Sequence, residues 1–287
     1  YCAGDWNSQT ICLCKKPHDK TNISSGQMSP NNLLCNTVGD ELKLSDSLSK
    51  VFGVSIKDRG AILSSGALAD GAYWLNNNSQ WITSSYYENK LPNWIVDFEN
   101  KYPAKSYMKG TWQGDGFNYN LEDMTFQKGI SSIKYTPKGN EFTLDFASNL
   151  ISEEKLGADN HTDLLILSFS STDYVGHKFG PYAAETKSTF IELDTTISNL
   201  LEFLDQNIGM GNYIIMLTSD HGAATSPKLI EKLRLKGGNF NSTLVKEKLD
   251  STLFNRFGVN GIIAKYSNMQ FYLNFNKLDS FSVKSNE

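Results

Sequence analysis

The sequence is short of several things, and each shortage excludes something. No uninterrupted apolar run approaches the roughly 18–20 residues that a membrane-spanning helix needs, so no transmembrane segment is expected. There is no basic excess: 27 Lys and Arg face 31 Asp and Glu, a formal net charge of −4 over 287 residues. That balance gives no electrostatic reason to expect nucleic acid or an anionic membrane as partner. No stretch reads as a signal peptide, and the first residue is Tyr1 rather than Met. Such a start reads as a chain processed or cut from something longer. No internal repeat is found.

Cysteine is scarce and oddly placed. Cys2, Cys12, Cys14 and Cys35 all fall at the start of the chain. Such clustering predicts one or two local disulfides, and hence an exported protein. Free thiols are the alternative. A zinc knuckle is a third, disfavoured because Cys12-Leu13-Cys14 lacks the usual two-to-four residue spacer. Histidine is equally scarce, with only His18, His161, His177 and His221. The remainder is ordinary globular material, 39% hydrophobic and 20% charged, enough for a large core in one or two domains.

The pattern along the chain is that of an α/β protein. Near-helical spacing predicts a helix over 31–44, with Ser29-Pro30 as its start. Lys50 to Ile56 reads as a buried strand. Residues 73–128 are rich in aromatics (Trp74, Trp81, Tyr86, Tyr87, Trp94, Trp112), and a helix is expected around 91–100. This region reads as an insertion or cap whose rings serve packing first and a substrate wall second. A helix over 141–157, whose first part reads equally as a strand, precedes a strand at 163–169. The clearest helix runs from Ala184 to Asn207. There Phe190, Leu193, Ile197, Leu200, Leu201 and Leu204 share one face, which predicts core packing. A strand at 213–218, two helical stretches within 226–257 and short strands at 262–264 and 270–275 complete the reading.

Two motifs follow apolar strands. Leu164–Phe169 leads into Asp173-Tyr174-Val175-Gly176-His177, and Tyr213–Leu217 leads into Ser219-Asp220-His221-Gly222. In an open α/β sheet, ligands bind at the carboxyl ends of the strands. Asp173, His177, Asp220 and His221 are therefore expected to converge on one rim. In a helix, Asp173 and His177 would share a face. Carboxylate oxygen with imidazole nitrogen suits zinc, and two metals about 4 Å apart suit displacement at phosphorus. Lys57 and Arg59, after the strand at 50–56, supply charge for phosphoryl oxygens. Each motif alone has a plainer meaning, a capping pair or a solvated charge cluster, and it is their joint placement that points to a site.

These residues carry a resemblance. Ser171-Thr172-Asp173-Tyr174-Val175-Gly176-His177-Lys178-Phe179-Gly180-Pro181 resembles the zinc-binding segment of phosphate-irrepressible bacterial alkaline phosphatases. Those enzymes belong to the alkaline phosphatase superfamily, near the nucleotide pyrophosphatase/phosphodiesterases. Ser219-Asp220-His221-Gly222-Ala223-Ala224, Gly26-Gln27-Met28-Ser29-Pro30, Lys57-Asp58-Arg59-Gly60-Ala61-Ile62-Leu63 and Gly71-Ala72-Tyr73-Trp74 resemble the same group, in order. The resemblance implies a three-layer α/β sandwich around a mostly parallel sheet, one partial catalytic domain over 1–287 with a cap at about 73–140, and the sheet incomplete at both ends. It implies zinc-dependent hydrolysis of small-molecule phosphate monoesters through a phospho-threonine. Asp173 and His177 would hold one zinc, Asp220 and His221 the other, and Lys57 and Arg59 the phosphoryl group. It further implies a monomer in the periplasm or secreted.

The departures are equally informative. The family's nucleophilic threonine, a metal-binding aspartate and a phosphate-binding asparagine lie before the segment that Tyr1 begins, and a further zinc-binding histidine lies beyond Glu287. The chain therefore reads as the middle of such an enzyme, expected to be inactive or nearly so alone and to bind zinc weakly. The competing readings are a diesterase or nucleotide pyrophosphatase of the same superfamily, and a module that kept the fold and lost the chemistry.

Overall fold

A computed structural model of the chain describes residues 10–14 and 25–280, apart from 239 and 268. Cys2, His18 and the polar tail beyond 280 lie outside the described residues. The chain divides into two compact units, Tyr1–Thr225 and Ser226–Glu287.

The first unit is built on a sheet of β1 (Cys12–Leu13), β2 (Val51–Ser55), β3 (Gly71–Leu75), β4 (Trp81–Ser84) and β7 (Leu164–Ser168), in the order β1-β4-β3-β2-β7. β5 (Thr111–Gly114) and β6 (Phe117–Asn120) form a separate hairpin. The pairings β3-β2-β7 are parallel, while β4 and β1 add antiparallel edges. β2 is buried at every position, as its Val-Phe-Gly-Val run demands of a strand covered on both faces. Gly53 is required there, because any Cβ would collide with the Ala61 carbonyl of the helix packed on it. In the β2–β7 register Ser55 lies opposite Ser168, so two parallel strands end side by side.

The expected helices form with shifted limits, and others form where none was expected, at Asp58–Ser65, Ala104–Tyr107 and Leu121–Lys128. The expected helix at 31–44 is α1 (Val38–Ser45). Its start is set by Thr37 and Asp40, which form a reciprocal capping box, while Pro30 sits in a turn with Leu33. α2 (Asp58–Ser65) follows β2. α3 (Asn93–Lys101), α4 (Ala104–Tyr107) and α5 (Leu121–Lys128) lie in the aromatic region. α6 (Lys138–Glu153) buries Phe142, Phe146 and Leu150 at intervals of four. Phe146 stacks on Trp81 with ring centroids 4.0 Å apart, and Tyr73, Trp94 and Phe98 close around it. These rings of the 73–128 region are thus core, and β3 and β4 belong to the main sheet.

α7 (Ser171–Phe179) and α8 (Ala184–Leu204) complete the unit's helices. Here one expectation holds in part and one fails. Of the apolar stripe of α8, Leu204 packs against the main core and Leu193, Ile197 and Leu200 are half-buried, while Phe190 and Leu201 are exposed and the buried residues are Thr186, Thr189 and Thr196. The apolar run 213–217 is not a strand, and Ile214, Met216 and Leu217 are 91%, 93% and 75% exposed. For 213–217 the physical reason is that β7 is the sheet's edge, and among the described residues no strand pairs with this run.

The expected disulfides do not form among the described cysteines: Cys12, Cys14 and Cys35 are free thiols. Burial, reinforced by neighbouring Cys14, pushes the Cys12 thiol up to about 12, so it is a poor nucleophile.

The second unit contains α9 (Pro227–Lys232), α10 (Ser242–Phe257), the antiparallel pair β8 (Ile263–Ser267) and β9 (Gln270–Leu273), and α11 (Phe275–Ser280). Val259, Ile262 and Leu278 form its small core.

Candidate active site

The site grows from the two strand ends that the β2–β7 register places together. After β2 the chain turns at Lys57, whose extended backbone starts α2 and whose N–H donates to Ser55 Oγ at 3.0 Å. After β7 it turns at Ser170 into α7. The two turns are joined beneath by hydroxyls: Ser170 Oγ lies 2.9 Å from both Ser55 Oγ and Ser168 Oγ. Buried Asn140 of α6 fixes the start of α7 from the side. Its Oδ1 accepts from the Ser171 N–H and its Nδ2 donates to Thr172 Oγ1, both at 3.1 Å. The first N–H groups of a helix have no partner within it, so this amide supplies one.

Asp173 and His177 then stand on one face of α7, as their spacing predicted, with His177 Nε2 3.2 Å from Asp173 Oδ1. His221 Nε2 lies 3.6 Å from the same oxygen. Asp173 Oδ2 is in direct contact with the Lys57 ammonium. Burial alone would push the Asp173 carboxyl up. The Lys57 hydrogen bond and charge, joined by the two imidazoles, outweigh it and hold the group below the usual carboxylate range.

The remaining two expected residues stand further out. Asp220 approaches His221 Nε2 at 3.6 Å and accepts from the His221 backbone N–H at 3.0 Å, but its side chain is 83% exposed. Arg59 is exposed in the first turn of α2, 3.9 Å from Asp58. Its charge reaches Tyr174, where it opposes the upward push of burial on the phenol.

Among the described residues no three His, Cys, Asp or Glu side chains already form a cage for a metal ion. The donor chemistry nonetheless fits zinc. Two imidazole Nε2 atoms face one oxygen of a carboxylate, and that carboxylate already carries a cation on its other oxygen. Asp173, His177 and His221 are the residues that would hold such an ion, with Asp220 beside them.

Three features carried no sequence signal. Lys134, on a 3₁₀ turn at Ile130–Tyr135, comes to the Tyr174 ring from far along the chain. Asn140 and the serine chain read as ordinary polar residues of a helix and two strand ends.

Comparison with known proteins places this geometry. The chain is 38% identical over 292 residues to a Myroides odoratus protein named calcium-transporting ATPase, covering 91% of this chain and 53% of that one. It is 38% identical over 286 residues to alkaline phosphatase PhoV of Synechococcus elongatus, covering 90% and 50%. The chain thus spans about half the length of the curated relatives it matches. The crystal structure of wild-type alkaline phosphatase PafA superimposes with a TM-score of 0.84 at 33% identity, over 100% of this chain and 58% of that one. The α/β fold is therefore that of PafA. The family model for type I phosphodiesterase / nucleotide pyrophosphatase matches residues 49–279. The chain belongs to the type I phosphodiesterase / nucleotide pyrophosphatase family.

Proposed function

We propose that this chain carries part of the active site of a zinc-dependent phosphatase acting on phosphate monoesters. The observation that supports it most is the gathering of Lys57, His177 and His221 on Asp173, at the carboxyl ends of adjacent parallel strands. The name of the Synechococcus relative and the PafA structural match point the same way.

On this reading Asp173, His177, Asp220 and His221 hold two zinc ions. When bound, they supply Lewis acidity toward phosphoryl oxygen and lower the pKa of an attacking hydroxyl. Lys57 presents an ammonium to the transferring phosphoryl group while Asp173 keeps that side chain in place. Arg59, exposed and weakly paired, offers two donors to equatorial oxygens. The nucleophile is a threonine contributed by sequence outside these 287 residues, and the intermediate is its phosphate ester. The 287-residue chain alone then turns over little or nothing. An exported location follows from the resemblance and not from the thiols, which are unpaired at Cys12, Cys14 and Cys35.

The family match favours a second reading, a phosphodiesterase or nucleotide pyrophosphatase with the same metal ligands. Hydrolysis of p-nitrophenyl phosphate and bis(p-nitrophenyl) phosphate with added zinc separates the two. A protein extended at both ends is expected to prefer the monoester, and Lys57→Ala to erase most of that preference. Preference for the diester would transfer the assignment to the second reading. Zinc-dependent turnover by the 287-residue chain itself, abolished in Asp220→Ala, would mean that a residue here replaces the threonine.

A further inference from the structure

Beside the phosphoryl-binding lysine lies a cavity of about 170 Å³, walled by Met28, Ile56 and Trp74 and by the polar Asn76 and Ser79, with Lys57 and Lys134 on its lining. That volume suits a ring-sized group. Tyr174 forms the wall between the two lysines. Lys57 Nζ lies 4.8 Å and Lys134 Nζ 5.3 Å from the centroid of its ring. Lys57 lines the cavity and also contacts Asp173, so the cavity adjoins the reacting end of the site.

Lys134 is unusual among the lining residues. It is half-buried, and among the described residues no carboxylate pairs with it. Its contacts are two aromatic faces, Tyr174 and Tyr135, the latter at 5.8 Å. Asp58, the carboxylate on the lining, is turned to Arg59. Burial lowers the Lys134 pKa, so the charged form is held at a cost that an incoming anion would offset. A half-buried cation without a carboxylate partner, facing a polar and apolar cavity, is suited to a ligand that brings a negative group on an apolar body.

We propose that this cavity is a leaving-group subsite, in which Lys134 binds an anionic substituent, carboxylate or phosphate, on the alcohol or phenol side of a monoester held at Lys57. The inference rests on the phosphate-monoester reading above. It makes Lys134 a specificity residue: substrates with a second anion are favoured over those with a neutral leaving group.

The test is calorimetric and needs no turnover. Phenylphosphonate and 4-carboxyphenylphosphonate are titrated, with zinc, into the protein extended at both ends and into its Lys134→Gln variant. The carboxylated probe is expected to bind about tenfold more tightly to the wild-type chain, the size of one charge-assisted hydrogen bond. Lys134→Gln should remove that advantage and leave phenylphosphonate affinity unchanged, which also shows that the variant is folded. Equal affinities in the wild-type chain, or an advantage that survives the substitution, would overturn the subsite and leave the phosphatase reading standing. Loss of phenylphosphonate binding in Lys134→Gln would make Lys134 a structural or phosphoryl-binding group and also overturn it. No binding of either probe would remove the phosphatase reading, and the subsite with it.

Discussion

Asn140 shows how a single amide positions chemistry that it never touches. It is buried on α6, yet it donates to Thr172 and accepts from the Ser171 N–H, so it ties α6 to the first turn of the helix that carries Asp173 and His177. Asn140→Ala removes both bonds and leaves a buried N–H without a partner. Such a loss costs about 1–3 kcal/mol, and urea denaturation should show it as a lower midpoint with an unchanged slope. Asn140→Asp keeps the acceptor and should recover part of the loss. An unchanged midpoint in Asn140→Ala would mean that water replaces the amide. At this scale the sequence was partly legible. The four-residue spacing of Asp173 and His177 was sufficient to place them on one helix face. Nothing local marked Lys57 as the partner of Asp173, because that contact depends on the register of two strands distant in the chain.

At the scale of elements, continuous apolar runs located β2 and β7, and helical periodicity located α6 and α8. It failed where a neighbour decides the outcome. An apolar run shows that a segment gains from burial, but a strand also needs a backbone alongside to take its N–H and C=O groups. Residues 213–217 have the first property and not the second, and so they form no strand and Ile214, Ile215, Met216 and Leu217 are exposed. The capping box at Thr37 is a clearer case of local chemistry overriding apolar spacing, since it delays α1 to Val38. Hydrogen exchange tests the assignment at 213–217. Amides of 213–217 should exchange within the fast limit of the experiment, while those of β2, bonded on both sides, are protected. Protection at 213–217 would show a strand pairing that this structure lacks. Replacing Ile214 and Met216 by Ser should change stability by no more than about 0.5 kcal/mol, the usual range for surface sites.

For the whole molecule the decisive question is whether the zinc proposed above is linked to folding. Two of the candidate donors, His177 and His221, each face Asp173, while Asp220, next to His221, stands in solvent on a segment that no strand anchors. A ligand that binds only the folded chain raises its stability by about 2.7 kcal/mol at one hundred times its dissociation constant. Thermal melts with and without zinc should therefore show an upward shift in the wild-type chain. Asp173→Asn removes the carboxylate charge on which both imidazoles converge and leaves a weak neutral donor, so the zinc-dependent part of the shift should vanish there. Its zinc-free melt should also fall, because Lys57 loses its partner in a largely buried position. Asp220→Ala should reduce the zinc shift only in part and leave the zinc-free melt unchanged, since that side chain is exposed. The order of the three responses matters more than their size. A zinc shift that persists in Asp173→Asn would place the metal elsewhere and separate Lys57–Asp173 from it, leaving an ion pair at the end of two strands and no metal centre.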